Sequence, residues 1–173
     1  KKEIYHLDYV YITHYDMDHY YALDSLKKNF IVKNVYDYNY CPAIKYGNLS
    51  LYNINTNIED VVEENDKSIV LHLTLNRRTF ILMGDASKTI EMKLLENYPT
   101  LSANYLKCGH HGSSTSTSRE FVEKLHPQEA IISCGDKNKY GHPNDEVIDV
   151  LNDLNVKIRR TDLGGTITYK FFG

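Results

Sequence analysis

Apolar and polar positions alternate with period two over residues 8–13 (DYVYIT), which predicts a strand, and the polar run 14–19 follows it as a loop. The spacing then changes. Residues 19–30 place Tyr21, Leu23, Leu26 and Phe30 near one face of a helix. β-Branched residues return at 31–36, and a stretch without clear periodicity runs on to Tyr46. Residues 49–54 and 68–75 read as strands, the second turning through 76–78 into a returning strand at 79–83. A helix is predicted over 87–98 with Ser87 as its N-cap, then a short strand over 105–108 and a helix from Ser118 to Leu125 with Glu120 in its first turn. A strand at 130–134, a helix over 143–154 opened by Pro143, and strands at 156–160 and 166–172 around a turn at 162–165 complete the pattern. Strands and helices alternate without an internal repeat or a linker, so the expectation is α/β layers in one domain spanning 1–173.

Composition narrows the class. The chain has 173 residues, 42% hydrophobic and 25% charged, which fits a globular domain with a real core. No run approaches the roughly 20 apolar residues of a membrane span, and no signal peptide is visible before the first strand-like segment. Twenty basic against twenty-three acidic residues give a net charge of −3, which excludes a generic polycation that coats nucleic acid. Cys41, Cys108 and Cys134 are odd in number and widely spaced, so they form neither a CxxC pair nor a disulfide framework. That fits the cytoplasm and an exported bacterial protein equally well.

The chemistry concentrates in polar loops that follow apolar strands, where an α/β sheet opens its strand ends to a ligand. The first is Thr13-His14-Tyr15-Asp16-Met17-Asp18-His19, with His14, Asp16, Asp18 and His19 at i, i+2, i+4 and i+5. Imidazole nitrogen and carboxylate oxygen suit Zn and Mn; the blander alternative is a polar loop with Asp18 capping the helix. The second is Gly84-Asp85 at the end of an apolar strand, where Asp85 could bridge cations or cap a helix. The third is Lys107-Cys108-Gly109-His110-His111-Gly112-Ser113-Ser114, a tight loop with two imidazoles and small residues, or else a serine-rich surface loop. The fourth, residues 133–143, ends in Tyr140-Gly141-His142-Pro143; alone, His142 reads as a helix-start or hydrogen-bonding residue. His6, His72 and His126 lie outside these loops and read as structural.

Together these motifs resemble the metallo-β-lactamase superfamily, whose signature is H-x-H-x-D-H. Here it reads His14-x-Asp16-x-Asp18-His19, with Asp in place of the second His. That form is similar to the branch found as the C-terminal domain of competence proteins of the ComEC type. In that branch a Gly-Asp strand end, a K-x-x-H-H-G-S loop and Y-G-H-P follow in order, as they do here at Gly84-Asp85, Lys107–Ser113 and Tyr140–Pro143. Residues 160–167 (RTDLGGTI) also resemble that branch's closing hairpin, and the likeness runs from about Tyr9 to Ile167. It implies an αββα sandwich. The family fold normally has several strands before the His/Asp motif, so the expectation is a sandwich lacking the usual first strands, completed from elsewhere in the protein or by a partner chain.

The resemblance further implies two divalent metal ions, Zn or Mn, held by His14, Asp16, Asp18 and His19, with Asp85 bridging and His110 as a further ligand. His142 would be a ligand or the leaving-group acid, and His111 and Lys107 would stand behind the ligands or against a phosphate. The catalytic groups expected are Asp18, His111, His142 and Lys107. Asp16, a harder ligand than the family's His, moves the balance toward Mn. Three carboxylates repel one another unless cations sit among them. A water between two such cations loses its proton near neutral pH and becomes a nucleophile. The leading expectation is therefore hydrolysis of a phosphodiester in nucleic acid, such as single-stranded DNA. Lys107, Arg119, Lys137 and Lys139 lie near the candidate loops, and Tyr140 offers a surface on which a base could stack. The alternatives are an esterase or phosphodiesterase of a small or cell-wall-linked substrate, and a non-catalytic binding or assembly module.

Overall fold

The computed structural model describes residues 4–56 and 60–171. Strand β1 (His6–Tyr11) pairs in parallel with β2 (Ile31–Tyr36), and the crossover between them carries two short helices, α1 (Met17–Tyr20) and α2 (Leu23–Asn29). A seven-stranded sheet takes up the rest, in the order β3 (Ile44–Tyr46), β4 (Leu49–Asn53), β5 (Leu71–Leu75), β6 (Arg78–Leu82), β7 (Tyr105–Lys107), β8 (Glu129–Ile132) and β9 (Lys157–Arg160). Its first four strands are antiparallel and β6 to β9 are parallel. The parallel strands are joined by α3 (Lys88–Asn97), α4 (Arg119–Leu125) and α5 (Asp145–Asp153). Asn76 and Arg77 both have positive φ at the β5–β6 turn, as a two-residue hairpin with the right twist requires.

Side-chain alternation divides the core between the two faces of the large sheet. Ile81, Met83, Leu106, Ala130 and Ile132 face the helices, where Ile90, Leu94, Phe121, Leu125, Val147 and Leu151 cover them; Cys108 is buried in the same layer. Leu51, Ile69 and Leu71 form a second cluster with Leu73 and Leu82, closed by Tyr11, Tyr38 and Cys41. Ser87 and Ser118 cap α3 and α4 as expected: their hydroxyls accept from Thr89 N at 3.2 Å and Phe121 N at 3.3 Å.

Four expectations change. The helix over 19–30 is two helices with a step at Tyr21–Ala22, and α1 begins before His19. The ladder expected from residue 68 begins at Leu71, because Ile69 N donates to Thr13 O (2.9 Å) and Val70 N to the Asn53 side chain (3.0 Å). The unassigned stretch before Tyr46 contains β3, whose three residues are too few to show a period. The turn at 162–165 is instead the short helix α6 (Thr161–Gly164), and residues 166–171 form no strand; Phe172 lies outside the described residues. The alternation there has another cause. Tyr169 and Phe171 pack against Phe80 and Tyr105 with centroid separations of 4.8–6.0 Å, so the tail is placed by aromatic contact without a ladder.

Candidate metal centre

The loops after β1, β6, β7 and β8 meet at the C-terminal ends of parallel strands, where strand carbonyls and loop side chains are free to face a ligand. Asp16 takes the N-cap position of α1 but makes no side-chain cap bond, and Asp18 lies inside that helix; neither carboxylate is used up in capping. Gly84 lets β6 run into the site. Its φ is +58°, and a Cβ there would stand 2.9 Å from Cβ and Oγ of Ser68. At the end of β7 both His110 (φ 44°) and His111 (φ 55°) adopt the left-handed conformation, costly for residues with a side chain. The turn is held by His110 N donating to Gly84 O (3.0 Å), Ser113 N to His110 O (2.8 Å) and Asn144 N to Gly112 O (2.9 Å).

The imidazole Nε2 atoms converge on two carboxylates. Asp85 Oδ2 lies 3.2 Å from His19 Nε2, 3.7 Å from His111 Nε2 and 3.9 Å from His110 Nε2. Asp18 Oδ2 lies 3.7 Å from both His19 Nε2 and His111 Nε2, and Asp16 Oδ2 lies 3.7 Å from His14 Nε2. Two overlapping groups have ligand atoms close enough to share an ion: His14, His19 and Asp85; and Asp18, His19 and His111. Nδ1 of each of these imidazoles, and of His110, is engaged on the outside. Thr13 Oγ1 lies 3.1 Å from His14 Nδ1 and 3.0 Å from His19 Nδ1, Ser68 Oγ 3.2 Å from His14 Nδ1, and Thr115 Oγ1 3.2 Å from His110 Nδ1. His111 Nδ1 is 2.7 Å from Ser133 O. A carbonyl only accepts, so His111 carries its proton on Nδ1 and turns the Nε2 lone pair into the cluster.

The inward atoms His14 Nε2, His19 Nε2, His111 Nε2 and Asp85 Oδ1 are buried and make no hydrogen bond. Buried donors and acceptors are normally paired, so four such atoms aimed at one another form a pocket that a cation could satisfy. These groups also shift one another's titration. Burial, and then the neighbouring His19, push His14 down, favouring the neutral ligand form. Burial would raise Asp85, but His19, His111 and His110 overcome it and hold the carboxyl at about 2. Burial pulls His19 down, yet Asp85 and Asp18 leave it above its ordinary value.

Of the residues singled out from the sequence, His14, Asp18, His19 and Asp85 meet at the centre and His110 borders Asp85. Asp16 touches His14 from the solvent side, its side chain 51% exposed. His111, expected behind the ligands or against a phosphate, has its Nε2 inside the cluster. His142 stands at the rim, 5.6 Å ring to ring from His110, with a buried Nδ1 that has no partner. Lys107, expected behind the ligands or against a phosphate, is part-buried: burial lowers its pKa while the Asp85 charge opposes this, and Nζ donates to Cys108 O at 3.4 Å. Thr13 and Ser133, which help orient the imidazoles, lie at the starts of two of the loops singled out without having been assigned that role, and Ser68 lies outside all of them.

The fold and this centre are those of a metal-binding α/β domain similar to the metallo-β-lactamase superfamily, whose family model matches residues 1–66. Among particular proteins it is 35% identical over 129 residues to ComE operon protein 3 of Bacillus subtilis and 33% identical over 109 residues to competence protein ComA of Neisseria gonorrhoeae. These matches cover 75% and 62% of the chain but only 17% and 16% of the relatives' length. In three dimensions it is similar to CmlA, a diiron β-hydroxylase of Streptomyces venezuelae, with a TM-score of 0.56 at 13% identity over 90% of this chain and 44% of that one. The αββα assignment stands on that likeness, and the chain's mixed α/β content with a seven-stranded sheet agrees with it. Among the described residues no helix is long and apolar enough to cross a membrane.

Proposed function

We propose that the cluster holds two divalent cations, Zn or Mn, and that the chain is a metal-dependent phosphodiesterase whose favoured substrate is single-stranded nucleic acid. The observation that carries this reading is the convergence of unpartnered Nε2 lone pairs on Asp85 and Asp18. His19 belongs to both candidate groups but has one inward nitrogen, so it serves a single ion. Asp85, within reach of His19, His110 and His111, is the carboxylate placed to bridge. When bound, such ions supply Lewis acidity toward a phosphoryl oxygen and an activated water. The chain's own residues do the rest. Asp18, its side chain 64% exposed, reaches the mouth of the site. His142 stands at the rim, where a leaving oxygen would lie, and burial, then His110 and His111, lower its pKa and favour the neutral imidazole. Lys107 balances charge behind Asp85 without contacting substrate. Nucleic acid is favoured over other diesters because the relative from Neisseria gonorrhoeae is named a competence protein.

The test is elemental analysis of the purified protein beside Asp85→Ala/His110→Ala, followed by assays on single-stranded DNA and a small chromogenic diester. Close to two Zn or Mn per chain, lost in the double variant, with chelator-sensitive cleavage of DNA, is the expected result. Activity on the small diester alone would move the reading to a small or cell-wall-linked substrate. No metal after reconstitution would overturn the hydrolase and favour a binding or assembly module.

A further inference from the structure

A cavity of about 170 Å³ opens directly beside the cluster, bounded by Asp18 and His111 on one side and by Asn138, Tyr140 and His142 on the other. The loop that carries Tyr140 is tied from within. Asn138 Nδ2 donates to Gly135 O (3.0 Å) and His142 O (2.6 Å), and its Oδ1 accepts from His142 N (2.9 Å). Every polar atom of that amide is spent on fixing the loop. The Tyr140 side of the loop is nonetheless open: the residue is 66% exposed. Its ring lies 18° from parallel to the His142 ring at a centroid separation of 5.9 Å, and Lys139 Nζ stands 4.8 Å from the Tyr140 centroid.

These features select a ligand class. An exposed aromatic ring on a fixed backbone is a preorganised stacking surface, since little loop entropy is lost when a flat group lies on it. A volume of 170 Å³ corresponds to about five or six waters, which suits one planar heterocycle and not a peptide segment. Lys139 Nζ over the ring and the cluster across the cavity both call for anionic groups next to that heterocycle. We infer that Tyr140, braced on His142, is the stacking platform for the nucleobase adjoining the phosphodiester addressed by the cluster, with Lys139 meeting the next phosphate. This rests on the phosphodiesterase reading above and adds a specificity to it. Stacking accepts any base but needs one free of a complementary strand, so the site selects unpaired nucleotides with little sequence preference.

The experiment uses a dinucleotide carrying 2-aminopurine, whose fluorescence is quenched on stacking, and its counterpart with an abasic sugar in place of that base. Binding and hydrolysis of both are measured with the wild type, Tyr140→Phe, Tyr140→Ala and Lys139→Ala. Tyr140→Ala is expected to lose the quench and raise KM for the base-bearing substrate about tenfold or more, with kcat little changed. Tyr140→Phe keeps both, and Lys139→Ala weakens binding of both substrates alike. On the abasic counterpart the Tyr140→Ala effect shrinks to within about twofold, the pairwise logic of a double-mutant cycle. A quench unchanged in Tyr140→Ala overturns the inference, as does an equal loss on both substrates, which would mean Tyr140 merely braces His142. A wild type that quenches the base but leaves the dinucleotide intact contradicts the phosphodiesterase reading and keeps the stacking platform.

Discussion

Ser68 belongs to no motif, yet its hydroxyl joins two members of the metal centre: it accepts from Asp85 N at 3.0 Å and lies 3.2 Å from His14 Nδ1. Ser68→Ala would leave a buried N–H unpaired and free the His14 ring to turn. The expected result is a drop in metal affinity of roughly 10–100-fold and a loss of about 1–3 kcal/mol of stability. Chelator competition and thermal denaturation measure the two, and an unaltered affinity would remove Ser68 from the supporting shell. The same residue shows where reading the sequence stops. His14, Asp16, Asp18 and His19 are visible because they crowd one loop, and Asp85, His110 and His111 because each follows an apolar strand. Ser68 and Ser133 stand 54 and 22 residues from the histidines they orient, and although Ser133 opens one of the loops, nothing local marks either for that role. The inward aim of His111 likewise depends on two consecutive left-handed residues, a conformation that residue type alone does not announce.

Elements were legible where their own periodicity governs them, as in α3, α4 and β5–β6, and illegible where distant contacts do. Residues 166–171 alternate like a strand but are held by rings and by one carboxylate. Glu129, 5% exposed on β8, receives Lys157 Nζ at 2.9 Å, Arg159 Nε at 3.1 Å and the Tyr169 hydroxyl, so it binds β9 and the tail to β8. Burial alone would raise its pKa; Tyr169, Lys157 and Arg159 outweigh burial and bring it below the ordinary glutamate value of 4.5. A carboxylate depressed by folding contributes stability above its unfolded pKa and loses it as pH falls through the folded one. Glu129→Gln should therefore melt below the wild type at neutral pH. The gap should begin to close near pH 4.5 and vanish further below it. Thermal midpoints of both proteins across that range measure this, and a gap independent of pH would place the effect in packing instead of charge.

Across the whole molecule burial is unevenly shared. The α/β class and the layer order follow from the alternation of strands and helices, but this unevenness does not, because apolar residues are plentiful at both ends of the chain. β1, β2, α1 and α2 contain no fully buried residue, whereas β6 to β8 and α3 to α5 hold most of the core. Regions with few buried contacts open at lower free energy than the rest. The candidate metal centre takes Asp18, His19 and the fully buried His14 from the segment after β1, and Asp85, His110 and His111 from the tighter half. The cysteines give this partition a clock. Burial pushes the half-buried Cys41 thiol to about 11, and the fully buried Cys108, immediately ahead of the histidine turn, to about 12. A thiol so protonated and enclosed reacts only when its surroundings let go. Under a thiol-labelling reagent Cys41 should be modified through small local openings, and Cys108 only at the pace of global unfolding. Labelling rates followed by mass spectrometry test this, and equal rates for the two thiols would contradict it. The residue next to the histidine turn is thus a chemical timer for the release of the strand end that carries the site.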